Sequence, residues 1–265
     1  MAWRNPRYAF QHAARDAGLS AITPTPVEDA DFPADYLIDD RAGSLFKFDS
    51  SSASAKIEID RGAGTLEAVD RILIPTGHNL GTMDIIVEDD DNSGFTSPAT
   101  LLASTTVAAG WIDEAMTSGN QRYLRIRIIG TGTWEIPELI FTRTRTLTRG
   151  PEPRWPDLKR SNTLTFEKES GAAALLSLGP DRRVFEFTYR NVDDGDATLD
   201  LALLLALIDS VGTDRPFIVD PPFDTESALW MVRASDGRDG HEGALPAATD
   251  VPVKRLTLSL IEWLT

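Results

Sequence analysis

A chain of 265 residues with 42% hydrophobic and 25% charged residues has a globular composition and is long enough for one large domain or two of ordinary size. Its net charge of −15 argues against nucleic acid as a partner, because phosphate binding needs a basic face, and disfavours docking on anionic lipid. Cysteine is absent, which removes disulfides, thiol nucleophiles and cysteine-based zinc sites together.

The opening MAWRNPRYAFQHAARD lacks an apolar h-region, so no signal peptide is expected. The longest apolar run, Leu199–Ile208, is broken by Asp200 and is too short to span a bilayer. A soluble protein is the expectation. Residues 1–34 read as an N-terminal arm. Tyr8–Ala17 suits a short helix with Arg15 and Asp16 on its wet side, ending at Gly18, and the proline-bearing ITPTPVEDADFP lacks any period. Such an arm is ordered either on its own domain or by a neighbouring subunit.

From Tyr36 the pattern becomes β. Leu45–Asp49 and Ala55–Asp60 read as short strands, the second with Ile57 and Ile59 alternating against Lys56, Glu58 and Asp60. Arg71–Pro75 and Met83–Glu88 are apolar strands around a Gly77–Gly81 corner. Leu101–Ser104, Trp111–Ile112, Trp134–Ile136 and Glu138–Thr142 supply shorter pieces. Arg122–Ile129 alternates Leu124, Ile126 and Ile128 against Arg125 and Arg127, as a half-buried strand with a cationic outer face does. Thr142–Pro156 alternates Thr and Arg, which suits an exposed edge strand, and Gly150–Pro153 is a stiff linker. A domain boundary is placed there, giving domains at 35–149 and 150–265.

The second domain is β-rich with one helix. Asn162–Lys168, Arg182–Arg190, Arg215–Asp220, Leu229–Ala234 and Val253–Trp263 read as strands. Asp193–Asp196 is a turn with an N-capping acid ahead of a helix over 197–211 that is apolar around most of its circumference. That helix is buried either by its own sheets or by another protomer, with Leu203, Leu204 and Leu207 as candidate assembly residues. The fold class expected is all-β, mainly antiparallel, with two β-sandwich domains.

No G-x-S-x-G elbow, P-loop or H-E-x-x-H motif is present, so no enzyme and no cofactor is expected. Asp89, Asp91, Ser93 and Gly94 fall at the first spacings of an EF-type calcium loop. The closing glutamate position is Thr100 and the flanks are strands, so the loop is either a solvated hairpin or a weak cation site. His78 and Asn79 leave a strand beside Trp111, Trp134 and Tyr123, the residue types that receive sugar hydroxyls and the apolar face of a sugar ring. The other reading is that His78 and Asn79 cap the strand turn and the tryptophans fill the core.

The IEID strand, the V-D-R-I-L-I-P strand followed by G-H-N-L, and the later RYLRIRIIG and WEIPELIF strands together resemble a discoidin-like, galactose-binding-type β-sandwich. The variant with G-H-N-L after the strand is similar to versions in tail proteins of tailed bacteriophages. FEFTYRNVDDGDATLDLALLLALIDSVGTDRPFIVDP and the last strand look like the sandwich-plus-helix domain of distal tail proteins. The resemblance spans roughly 35–265. It implies a structural virion component of a tail tip or baseplate, assembled as a ring-like homo-oligomer with hub, tail-tube and tape-measure proteins. It also implies, as the alternative, a carbohydrate-binding module that contacts a host-surface glycan through His78 and Asn79.

Overall fold

The computed structural model describes residues 7–9, 12–18, 21–41, 43–64 and 66–146 with their side chains. Beyond these it describes the backbone of the strands between 158 and 262 and residues 207, 216 and 229, with side chains at 207, 216–220, 229, 231 and 232. In chain order the elements are β1 (Arg7–Ala9), α1 (Ala13–Ala17), β2 (Ile22–Thr25), a 3-10 turn at Ala34–Leu37, β3 (Phe46–Lys47) and β4 (Ser52–Asp60). There follow β5 (Val69–Ile74), β6 (Asp84–Asp90), β7 (Ala99–Thr106), β8 (Ile112–Gly119), β9 (Tyr123–Gly132), β10 (Glu135–Ile136), β11 (Ile140–Thr142) and β12 (Arg145–Thr146). The remaining strands are β13 (Leu158–Arg160), β14 (Thr163–Glu167), β15 (Ala173–Ser177), β16 (Arg182–Arg190), β17 (Phe217–Asp220), β18 (Trp230–Ala234) and β19 (Arg255–Glu262). The chain is all-β and mainly antiparallel. It divides into two compact units: one is Ala9–Thr144, and the other joins the residues up to Tyr8 with Arg145–Leu264.

The unit Ala9–Thr144 is a sandwich of a five-stranded sheet, in the order β2-β4-β9-β6-β7, and a three-stranded sheet, β11-β5-β8. Alternation sets the inner faces. Ala55, Ile57 and Ile59 of β4 and Leu124, Ile126 and Ile128 of β9 point inward to Val69, Ile72 and Ile74 of β5, and all join one core. Each such aliphatic side chain, fully buried, contributes about 1.5–3 kcal/mol over leaving it in water. Phe46, Phe48 and Trp134 close one end of that core edge to face, at centroid separations of 4.8 and 5.9 Å.

On the outer face of the five-stranded sheet, register places Arg125 between Glu58 of β4 and Glu88 of β6. Arg125 Nη2 reaches Glu88 Oε2 at 2.7 Å, and Nη1 lies 3.6 Å from Glu58 Oε1. The cationic face expected of β9 is therefore neutralised by acidic neighbours on both sides.

Two features differ from the sequence expectation. The helix expected over Tyr8–Ala17 is confined to Ala13–Ala17, because residues 7–8 are hydrogen-bonded to β12 instead. His12 caps the short helix by accepting the Arg15 N–H on Nδ1 at 3.1 Å. Within the expected arm, Ile22–Thr25 pairs with β4 from Ile22↔Ile59 to Thr25↔Lys56 and forms the edge of the sheet. Pro24 is tolerated there because an edge strand has one unpaired side, where a missing N–H costs no ladder bond.

The second unit contains a seven-stranded sheet in the order β12-β1-β17-β18-β19-β16-β13 and a hairpin of β14 and β15. The unit division falls at Thr144/Arg145 rather than at 149/150, and Arg7 and Tyr8 belong to this second unit rather than to an arm before the first. The Thr/Arg stretch supplies its outermost strand, β12. The long chain separation of β1 from β17 is bridged by side chains: Arg7 Nε donates to Asp220 Oδ2 at 2.6 Å, and the Tyr8 and Phe217 rings stand 6.4 Å apart. Asp220 is 3% exposed, so its buried charge needs a partner of this kind. Leu207 is helical and buried; Leu203, Leu204 and the rest of the helix expected over 197–211 lie outside the described residues.

Candidate ligand-binding cleft

The β4–β9 ladder has two ends; His78, Asn79, Trp111 and Trp134 lie at one of them, Tyr123 and the acidic loop at the other. Ser52 pairs with Gly132 at the first end, and Asp60 with Tyr123 at the second. The His78–Asn79 corner lies at the first end. Asn79 Nδ2 donates to the Thr133 carbonyl at 3.0 Å, and Asn79 Oδ1 accepts the Glu135 N–H at 2.8 Å. His78 Nε2 donates to the Gly110 carbonyl at 2.7 Å, and Nδ1 accepts the Leu80 N–H at 3.1 Å. Burial holds the His78 imidazole below its ordinary pKa, with the Gly110 bond opposing, so the ring is neutral and matches this tautomer.

The corner side chains thus spend their polar groups on backbone. Trp134 is 1% exposed and packed edge to face on Phe48, and presents no face to solvent. Trp111 is half-buried next to Gly110. The structure brings His78, Asn79, Trp111 and Trp134 to one end of the sandwich as a structural corner.

The acidic loop is organised by Asp90, a residue outside the calcium-type spacing. Its Oδ1 accepts the Asn92 N–H at 3.0 Å and its Oδ2 the Ser97 N–H at 3.1 Å, an Asx-type closure of the loop. Asp89 is buried, and its Oδ2 accepts the Gln121 N–H at 3.1 Å. Burial raises the Asp89 carboxyl, with the Gln121 N–H and Arg61 opposing. Asp91 and Ser93 are exposed, and among the described residues no group of acids or histidines is spaced to hold a metal.

At the opposite end from the His78 corner lies a cleft of about 540 Å³, within the range of about 300–1,000 Å³ typical of ligand pockets. Asp60 ends β4, Tyr123 begins β9, and the loop after β6 brings Ser93 and Phe95 over the same face. Thr23 and Asp16 complete the rim from β2 and α1. Phe95 adopts φ +47°, a left-handed conformation that costs a non-glycine residue about 1–3 kcal/mol and is held by the Asp90 closure of its loop. Its ring packs under the Arg125 guanidinium, 4.1 Å from the centroid.

Asp60 is clamped by Arg122, Nε to Oδ1 and Nη2 to Oδ2 both at 2.7 Å, and its Oδ1 also accepts the Gly62 N–H at 2.8 Å. That clamp lowers the Asp60 carboxyl, which is therefore an anion at neutral pH. Arg122 also lies over the Tyr123 ring at 4.9 Å. Asp16, Thr23 and Ser93 are exposed on the rim. The cleft combines fixed aromatic rings, a positioned carboxylate and open hydroxyls. It can receive a polar, hydroxyl-rich molecule of small size. Of its residues, Tyr123 was singled out from the sequence as an aromatic face and Ser93 as part of the calcium-type spacing. The others come from separate segments whose strands were legible but whose meeting point was not.

No family model matches the sequence, and no curated protein matches it. Solved structures do, over half of the chain. The first chitosan-binding module of a chitosanase/glucanase from Paenibacillus sp. IK-5 is similar at 18% identity and a TM-score of 0.42, covering 49% of this chain and 97% of the module. The CBM32-1 and CBM32-2 domains of Clostridium perfringens ZmpB give 12% identity and a TM-score of 0.43, covering 51% of this chain and 36% of theirs. A further CBM32 domain from Clostridium perfringens gives 12% identity and a TM-score of 0.39, covering 50% and 99%. At such identities and scores, the assignment of a sandwich rests on the strand order and register given above.

Proposed function

We propose that the unit Ala9–Thr144 is a carbohydrate-binding module that takes a glycan, without catalysis, in the cleft between Asp60, Tyr123 and Phe95. The observation that carries this reading is the cleft itself: a pocket of ligand size that sets the half-buried Tyr123 ring beside the exposed side chains of Asp16, Thr23 and Ser93. Hydroxyl groups of a sugar bond to Asp16, Thr23 and Ser93, while the apolar side of its ring rests against Tyr123. The absence of any catalytic motif in the sequence favours binding over turnover. The test is a glycan array on the full chain, followed by titration of hits against Tyr123→Ala. Loss of at least tenfold in affinity is expected, and no binding of any glycan at millimolar concentration rejects the reading.

A second reading is assembly into a phage tail tip or baseplate as a ring-like homo-oligomer with hub, tail-tube and tape-measure proteins in the virion. It is supported by the resemblance of residues 35–265 and by the placement of the Thr/Arg strand β12 at a sheet edge. Light scattering on the purified protein tests it, since a strict monomer absent from purified virions removes it.

A further inference from the structure

A second hollow of about 280 Å³ adjoins the cleft, lined by Leu66, Ala68 and Val69 on the approach to β5, by Ala13 of α1 and by Phe141 of β11. Asp16, Ala17 and Arg61 line both hollows. We propose that the two form one groove with Arg61 as the ridge between them, and that it holds two consecutive units of a linear oligosaccharide. This rests on the glycan-binding reading above and extends it from a single sugar to a chain.

The ridge is a built feature. The Arg61 N–H donates to the Arg122 carbonyl at 2.9 Å, and its guanidinium donates to the carbonyls of Gln121, at 3.3 Å, and Glu67. The side chain is thereby fixed across the boundary and not swung into either hollow. At about 280 Å³ the second hollow is smaller than the usual ligand pocket of about 300–1,000 Å³, so it suits an extension of a ligand already seated next door. The two hollows also differ in chemistry. The first offers a carboxylate, hydroxyls and a tyrosine. The second offers chiefly alanine, leucine, valine and phenylalanine side chains, with Glu67 the one charged residue that it does not share with the first. A pyranose unit there lays its apolar face on the Leu66–Val69 segment and keeps its hydroxyls toward solvent, while the unit before it makes the polar contacts. Because Asp16, Ala17 and Arg61 belong to both linings, the two hollows adjoin, as the seats of adjacent units of one chain must.

The experiment titrates the full chain with the monomer, dimer and trimer of three linear series, built from galactose, glucose and glucosamine, by calorimetry. In the series that binds, the dimer is expected to bind roughly tenfold more tightly than the monomer, the effect of burying about 60 Å² of further apolar surface. Ala68→Trp, which fills the second hollow, and Leu66→Ala, a smaller change that guards against misfolding, are each expected to bring the dimer-to-monomer affinity ratio close to one. Equal affinities of monomer and dimer in the unaltered protein overturn the groove and leave the single-sugar reading standing. A ratio that persists in both variants also overturns it. Failure of every sugar in all three series at millimolar concentration overturns the groove and the glycan reading together.

Discussion

Replacing Glu138 by Gln is expected to raise stability at neutral pH and to remove an alkaline limb from the pH dependence of the unit Ala9–Thr144. Glu138 is fully buried, with Oε1 3.2 Å from His12 Nε2 and Oε2 left without a hydrogen-bond partner. Burial, then the nearby charges of Asp40 and Asp39, push its carboxyl from 4.5 up to about 9, with Arg15 opposing. His12 is pushed the other way, from 6.5 to about 3, first by burial and then by Arg15, with Asp40 and Asp16 opposing. Although the pair has the geometry of an ion pair, at neutral pH it is a hydrogen bond between neutral groups. His12 Nε2–H donates to Glu138 Oε1, consistent with His12 Nδ1 accepting from Arg15.

The signs follow from proton counts. Folded Glu138 holds a proton that the unfolded chain releases between pH 4.5 and about 9, so its contribution is complete below 4.5 and lost as pH rises to 9. Folded His12 lacks a proton that the unfolded chain takes up, so its contribution is complete above 6.5 and lost as pH falls to about 3. The two slopes cancel between about 4.5 and 6.5, and stability declines on either side. At about 1.4 kcal/mol per pH unit, the Glu138 loss is about 3 kcal/mol from pH 6.5 to 9 and about 6 kcal/mol over its whole range. Glu138→Gln keeps the neutral form at every pH. It is expected to stabilise by about 3 kcal/mol at pH 7, or roughly 10 °C in Tm for a unit of this size. Calorimetry of both proteins from pH 4 to 10 tests this. Parallel Tm–pH curves for the two proteins refute the reasoning.

Two further outcomes follow from the corner and the acidic loop. Asn79→Ala leaves the Thr133 carbonyl and the Glu135 N–H to water, and is expected to lower stability by about 0.5–1.5 kcal/mol in denaturant unfolding while glycan affinity stays as it was. Loss of glycan binding without loss of stability reverses that assignment. Adding EDTA is expected to leave Tm unchanged, because Asp90 and Asp89 already spend their carboxylate oxygens on N–H groups of Asn92, Ser97 and Gln121. A fall in Tm on chelation, recovered by calcium, shows the loop to be a cation site.

Strands with strict alternation were legible from the sequence. β4 and β9 read as half-buried because Ile57, Ile59, Ile126 and Ile128 face one way and charged residues the other, and that is how they lie. β1 and β2 were not legible. Each is a few residues long with no period of its own, and β1 exists because Thr146 and Arg145 return to pair with Arg7 and Tyr8. The His78–Asn79 corner was read either as a sugar contact or as a cap on the strand turn, and which of the two holds depends on Gly110, Thr133 and Glu135 arriving there from elsewhere in the chain. The cleft was hidden for the same reason. Periodicity assigns residues to faces, while a cleft forms where Asp60, Phe95 and Tyr123 meet at strand ends, and only register determines which ends meet.

The pairing of β1 into the seven-stranded sheet has a bearing on the order in which the protein matures during synthesis. β1 leaves the ribosome before every other described strand, yet its neighbour β17 begins only at Phe217. The sandwich Ala9–Thr144 has all its strands available long before that point and is expected to close first, while the ladder of β1 waits for β12 and then β17 to emerge. The buried Asp220 carboxylate, completed by Arg7, is therefore among the last contacts made. A chain whose synthesis stops after β12 carries a finished sandwich and an unfinished sheet, and the exposed strand edges of that sheet are the surface that a chaperone or an aggregate meets.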